Sequence, residues 1–256
     1  MRFNGNRSQR CFCDVDPDSH CIDPAKVASL ITAQTSGIIG VHLWGSVCDV
    51  RVLQRIANTN DLALICDAAH ALRCSHRGQA VGGFEIAEVF SFHATKFFNF
   101  FEGGAVVAND DQIAERMRLM RNFVFAGYDN VIYIGTNGKM SEAYAAMGLT
   151  SLESIDVFIE RNQRNYATYQ KHIDDIEEIT LLSFLPCDMT NHQNVIAEID
   201  ENLYGLDRDT LMKVLHKENI LVRRYFYLRC HRMEPYRTLF PQAGTRLPRP
   251  SASAAV

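Results

Sequence analysis

LALICDAAHA, residues 62–71, is the stretch that decides the fold. Leu62 to Cys66 is a short, continuously apolar run, the pattern of a strand buried on both faces, and it ends on a carboxylate, Asp67. Upstream, GIIGVHL (37–43) repeats that pattern. Between the two, Asp49 caps a helix running to about Ala57, with Val50, Leu53 and Ile56 on one stripe. Asp23 and Pro24 start an earlier helix, followed by Ala25 to Ile31. Downstream, Glu88 to Phe92 reads as a third strand ending near His93, and Gly104 to Ala108 as a fourth. Asp110 or Asp111 then opens a helix carrying Ile113, Met117 and Met120. Strands separated by helices at this spacing predict an α/β fold with a mostly parallel sheet.

That fold class says where to look for chemistry. In open α/β sheets, ligands sit beyond the carboxyl ends of the strands. Asp67 and the group Ser91, His93 and Lys96 fall at such ends. After Gly127 the character changes. GTNGK (135–139) is a polar, glycine-rich loop, Ser141 caps a helix of small residues from Ala143 to Leu149, and Leu152 to Ile173 reads as a connecting helix. Short strands follow at Ile179 to Leu182, Val195 to Ile199 and Ile220 to Arg223, with one helix from about Arg208 to His216. The expected division is a large domain over residues 1–150 and a smaller α+β domain over 151–256. Pro248 to Val256 has no periodicity and is expected to be disordered.

Composition excludes several classes. Of the 256 residues, 47% are hydrophobic and 22% charged, an ordinary globular balance. A net charge of −4 argues against a general nucleic-acid binder, which needs a basic face. No apolar run is long enough to span a bilayer, and MRFNGNRSQR at the start lacks the apolar stretch of a signal peptide, so a soluble, cytoplasmic chain is expected. The eight cysteines show no zinc pattern: Cys11 and Cys13 are one residue apart, and no second close pair completes a site. Cys48, Cys66 and Cys74 lie in or beside apolar stretches, where a thiol behaves as a small core residue. The histidines are scattered, and no metal is expected.

A lone lysine in an α/β crevice is usually solvated or structural, because the protonated ammonium is a poor nucleophile. The company of Lys96 sets it apart. DAAH (67–70), SFHATK (91–96) and EGGAVV (102–107) together resemble the DegT/DnrJ/EryC1/StrS family of sugar aminotransferases. CDVDPDSHCIDPAKV near the start, VHLWG (41–45) and GTNGKMSE (135–142) extend the resemblance from about Cys11 to Arg237. It implies a fold-type-I, aspartate-aminotransferase-like large domain that uses pyridoxal 5'-phosphate (PLP), with a nucleotide-linked ketosugar and glutamate as substrates.

The resemblance also implies roles. Lys96 would be the catalytic lysine, bonding the cofactor aldehyde and moving a proton. Asp67 would pair with the pyridine nitrogen, keeping the ring an electron sink. Ala69 would pack on a ring face, and His70, where many relatives have Gln, would hydrogen-bond the ring hydroxyl. Ser91 would contact the phosphate, and Asn137 would reach it from the neighbouring subunit of a homodimer. His93 belongs to the motif and counts among the cofactor-binding residues without a specific role. Simple packing or strand-end hydrogen bonding is the equal alternative for His70 and His93. Within the family, Lys96 favours transamination over the dehydratases that carry His there. RRYFY (223–227) and CHRMEPY (230–236) resemble the branch acting on dTDP-4-dehydro-6-deoxyglucose.

Against the family pattern the chain is expected to be truncated at both ends. It enters the pattern near Cys11, without the Gly/Ser/Thr-rich phosphate turn, and departs from it after about Leu247. Leu228 stands where relatives usually show Pro, and Phe100 and Phe101 crowd a segment that is often polar. Two alternatives to the enzyme therefore stand: a catalytically inactive remnant acting at most as a binding or interaction protein, and a plain α/β binding protein with a structural Lys96.

Overall fold

The computed structural model describes residues 9–84, 87–225, 229–243, 247 and 253–255. The first helix, α1 (Pro24–Leu30), starts where the sequence predicts, with the Asp23 side chain accepting the Ala25 N–H. Strand β1 (Gly37–Val41) leads to α2 (Val50–Thr59), capped by Asp49 on the Val52 N–H, and then to β2 (Ala63–Asp67). A small hairpin, β3 (Ser75–His76) and β4 (Gln79–Ala80), precedes β5 (Ala87–Ser91) and β6 (Gly104–Ala108). The sheet order is β1-β2-β5-β6, with the first three strands parallel and β6 antiparallel to β5. The α/β class with a largely parallel sheet is as the sequence predicts. The antiparallel strand has a local cause: residues 92–103 hold no helix, so the chain turns at the carboxyl end of β5 and runs straight back.

Burial on both faces is the expectation that the structure corrects. Strands β1 and β2 alternate exposed and buried residues. One face packs under α2, where Ile38, Leu64, Cys66, Val50, Leu53 and Ala57 form the core with Val27 and Cys21. The other carries Ile39, Val41, Ile65, Val89 and Val106, all exposed, with Ile39 at 68%. A pleated strand sends successive side chains to opposite faces, and α2 covers one of them only. Each side chain left on the open face forgoes part of the about 1.5–3 kcal/mol that full burial contributes.

The second half begins with α3 (Asp111–Arg121), α4 (Glu142–Leu152) and the long α5 (Ile155–Ile173). Strands β7 (Ile179–Leu181), β8 (Ala197–Asp200) and β9 (Ser253–Ala255) make an antiparallel sheet, the smaller C-terminal domain, with α6 (Glu201–Tyr204), α7 (Arg208–Lys217) and α8 (Tyr236–Leu239). Two expectations change here. Ile220 to Arg223 is no strand: His216 Nε2–H donates to the Val222 carbonyl at 2.8 Å, and Leu221 faces solvent. Ser253–Ala255 is paired with β8 rather than disordered, while residues 248–252 and 256 lie outside the described residues, as do Phe226, Tyr227 and Leu228.

The two halves meet at Trp44 and Asn191. Trp44 packs on Leu182 and Ile196. Asn191, fully buried, donates through Nδ2 to the carbonyls of His70 at 2.9 Å and Leu72 at 3.0 Å.

Candidate active site

Asp67 is the last residue of β2, and the alternation that buries Cys66 turns its side chain to the open face. It sits in a cross-strand row with Val41 and Val89, and Val106 continues the row on β6. The carboxylate is oriented locally, because Oδ1 accepts the Ala69 N–H at 3.0 Å, an Asx turn. Its backbone is fixed on both sides: the Asp67 carbonyl accepts the His42 N–H at 2.9 Å, and Ala68 donates to Val89 at 2.8 Å. Ala69, half-buried, leaves the turn open above the strand end.

His70 follows on the same turn. Its ring lies 5.5 Å from that of Trp44 at 32°, and Nδ1 accepts the Trp44 N–H at 3.4 Å. Burial, and then the Lys96 ammonium, push its pKa down from 6.5 to about 4. The ring is therefore neutral at pH 7, and with Nδ1 accepting, its proton sits on Nε2, ready to donate.

Lys96 belongs to the return between β5 and β6. Its N–H donates to the His93 carbonyl at 2.9 Å, and its own carbonyl accepts Asn99 Nδ2 at 2.7 Å, which closes a tight turn. Beneath the turn lies an aromatic trio, with Phe92 and Phe98 at 5.4 Å, Phe92 and Phe100 at 5.0 Å, and Phe98 and Phe100 at 5.8 Å between centroids. Gly103 and Gly148 make room for it: a Cβ at either would stand 2.5 Å and 2.9 Å from the Phe100 ring. The Lys96 amine is half-buried, and burial lowers its pKa against the opposing pull of Asp67. A lowered amine pKa raises the fraction present as free nucleophile.

Asp67, His70 and Lys96 thus interact electrostatically as one group at the strand ends. Ser91, the last residue of β5, is half-buried, and its Oγ accepts the His93 N–H at 3.4 Å. His93 is exposed and bound up in its own loop. Its Nδ1 lies 2.9 Å from Thr95 Oγ1, and its Nε2 is 3.5 Å from Glu102 Oε1. Asn137 lies on a separate segment, exposed and bridged to Asn122. The sequence assigned no role to Trp44, within VHLWG, or to Asn191, which hold the His70 ring and backbone. A polar residue isolated in the loop before β8 carries no periodic signal that would have marked it.

A carboxylate, a neutral imidazole donor and a desolvated amine, gathered on an apolar sheet face, are the donor set that a pyridine aldehyde requires. The residues present fit PLP.

Comparison with known proteins agrees. Residues 5–255 match the DegT/DnrJ/EryC1/StrS aminotransferase family. The chain is 37% identical over 218 residues to the dTDP-4-amino-4,6-dideoxy-D-glucose transaminase of Shigella dysenteriae, covering 84% of this chain and 59% of that protein. It is 33% identical to the Escherichia coli protein of the same name, covering 93% and 64%. The chain thus spans about three-fifths of the length of these curated relatives. Among solved structures, DesI in the presence of its TDP-sugar product superposes with a TM-score of 0.84 at 47% identity, over 89% of this chain and 58% of that one. Helicobacter pylori PseC, an aminotransferase involved in pseudoaminic acid biosynthesis, gives 0.86 at 27% identity, over 95% and 67%. The family model covers nearly the whole chain and the solved structures superpose on it, and the chain belongs to the DegT/DnrJ/EryC1/StrS aminotransferase family.

Proposed function

We propose that the chain serves PLP-dependent transamination of a nucleotide-linked ketosugar in deoxyamino-sugar biosynthesis, with glutamate as amino donor and dTDP-4-dehydro-6-deoxyglucose as the sugar. The observation that carries it is the grouping of Lys96, Asp67 and His70 at the carboxyl ends of β2 and β5. The name of the Shigella dysenteriae relative, at 37% identity, supports the 4-amino assignment. When bound, PLP would supply an electron sink for the bond electrons released at the amino-bearing carbon.

The chain's own residues do the rest. Asp67 holds the pyridine nitrogen protonated by charge pairing. His70 donates from Nε2 to the ring hydroxyl, and Ala69 lets the ring approach the turn. Ser91 binds the phosphate, and Asn137 reaches it from the partner in a homodimer. His93 steadies the return loop through Thr95 and Glu102. The Lys96 amine, its proton affinity reduced by burial, takes a proton from one carbon and returns it to another. The division into residues 1–150, bearing these groups, and 151–256, packed behind His70, and a cytoplasmic setting complete the reading.

Added PLP should give the purified chain a visible absorbance band that Lys96→Ala abolishes, and glutamate should bleach it. A preference for 3-keto over 4-keto sugar nucleotides in competition would overturn the 4-amino assignment. The open apolar face beside Asp67 favours a second reading, a catalytically inactive remnant acting at most as an interaction protein. A chain that stays colourless with excess PLP decides for that reading.

A further inference from the structure

On the face of β2 opposite Asp67 lies a second group of reactive side chains. Gly40, Cys66 and Glu88 form a row across β1, β2 and β5, under α2. His42, two residues beyond Gly40, and Cys48, just before the α2 cap, close over them. His42, Cys48, Cys66 and Glu88 are each at most 1% exposed. The His42 nitrogen and the two Sγ atoms all lie within 4.8 Å of one another. His42 Nδ1 stands 3.4 Å from Cys48 Sγ. A tetrahedral zinc, with Zn–S of about 2.3 Å and Zn–N of about 2.0 Å, sets its nitrogen and sulfur ligands about 3.5 Å apart.

Two further features point to a ligand here. Among the described residues, buried His42 Nε2 and Glu88 Oε1 have no hydrogen-bond partner, and they lie 3.5 Å from each other. Gly40 leaves the ground between the sulfurs clear: a Cβ there would lie 3.1 Å from both Sγ atoms. The sequence hid this group, because its members come from three separate elements and form no CxxC pattern.

We propose that His42 Nδ1, Cys48 Sγ and Cys66 Sγ bind a thiophilic divalent cation, Zn²⁺, with Glu88 as a positioning residue on His42 Nε2–H. The cation displaces the 3.3 Å contact that the Cys48 N–H makes with Nδ1. Binding forms two Zn–S bonds and one Zn–N bond and releases two protons from the His–Cys–Cys group to solvent, and two thiolates neutralise the ion, as a buried site requires. The carboxylate–histidine–metal relay fixes the ring tautomer. The site backs the strand that ends in Asp67 and is independent of cofactor binding on the open face.

The test is a titration of the reduced, full chain with Co²⁺ alone. It should show thiolate-to-cobalt charge transfer saturating at one equivalent per chain, and one equivalent of Zn²⁺ should remove it. Cys48→Ser and Cys66→Ser should lose the band, while Cys74→Ser, in a different core cluster, keeps it. Glu88→Gln should keep the spectrum and weaken affinity about 10-fold. Should the serine variants fail to fold, X-ray absorption on the zinc-loaded unmutated chain replaces them. Two sulfurs at about 2.3 Å and a nitrogen at about 2.0 Å support the site. A shell of oxygen and nitrogen alone, or a Co²⁺ band unchanged in both serine variants, overturns it.

Discussion

The two faces of one four-stranded sheet have had different fates. Under α2 the side chains of β1 and β2 are packed against Leu53, Val50 and Ala57, all fully or almost fully buried. On the reverse, Ile39, Val41, Ile65, Val89 and Val106 are just as apolar and stand open. The covered face holds the fold together; the open face carries Asp67 and Ser91. Composition alone cannot separate them, because strand chemistry is set for burial on both sides and only the helix decides which side obtains it.

Mutations on either side of the sheet test that contrast. Leu53→Ala removes a fully buried side chain between α2 and the sheet, and should cost about 2–5 kcal/mol in chemical denaturation. Next in size is Asn191→Ala. It removes the shorter donor of the His70 and Leu72 carbonyls, leaving the long contacts from Gln193 Nε2 and Cys74 Sγ, and should cost about 1–3 kcal/mol with a disturbed His70 resonance. His70 itself gives a pH signature. Its folded pKa of about 4 lies below the unfolded 6.5, so the unfolded chain binds that proton first. Stability is full above about pH 6.5 and is lost as the pH falls towards 4, and an NMR titration of His70 should show its midpoint near the lower value. Partial exposure of the ring keeps this contribution modest. Asp49→Ala, which removes the α2 cap, should cost about 1 kcal/mol. Smallest of all, Ile39→Thr on the open face should stay within about 0.5 kcal/mol in the same assay. It should nonetheless reduce self-association in sedimentation, because exposed apolar surface drives association more than it supports the fold. A loss at Ile39 as large as that at Leu53 would mean the open face is packed in solution.

Much of this was legible in the chain. Asp23, Asp49, Asp110 and Ser141 each cap a helix, and capping is a local signal that needs no tertiary knowledge. Asp67 and Lys96 were placed at strand ends by the same local reading. What escaped was non-local. Continuous apolar strands did not reveal which face lacks a cover. The β6 direction was set by the length and composition of a return loop. Ile220 to Arg223 has strand composition, yet His216 holds its backbone, and β9 takes the place beside β8. Asn191 and the His42, Cys48 and Cys66 group join positions far apart in sequence, and no periodicity encodes them.

The glycine at 148 has a consequence for the opposite end of the site. It lies on α4, yet the space it leaves is filled by Phe100, and Phe100 braces the turn from which Lys96 projects. The packing under the Lys96 turn thus depends partly on a missing methyl group on a helix well downstream. Gly148→Ala would press a methyl group on the Phe100 ring, so α4 bears on the packing beneath the turn that carries Lys96.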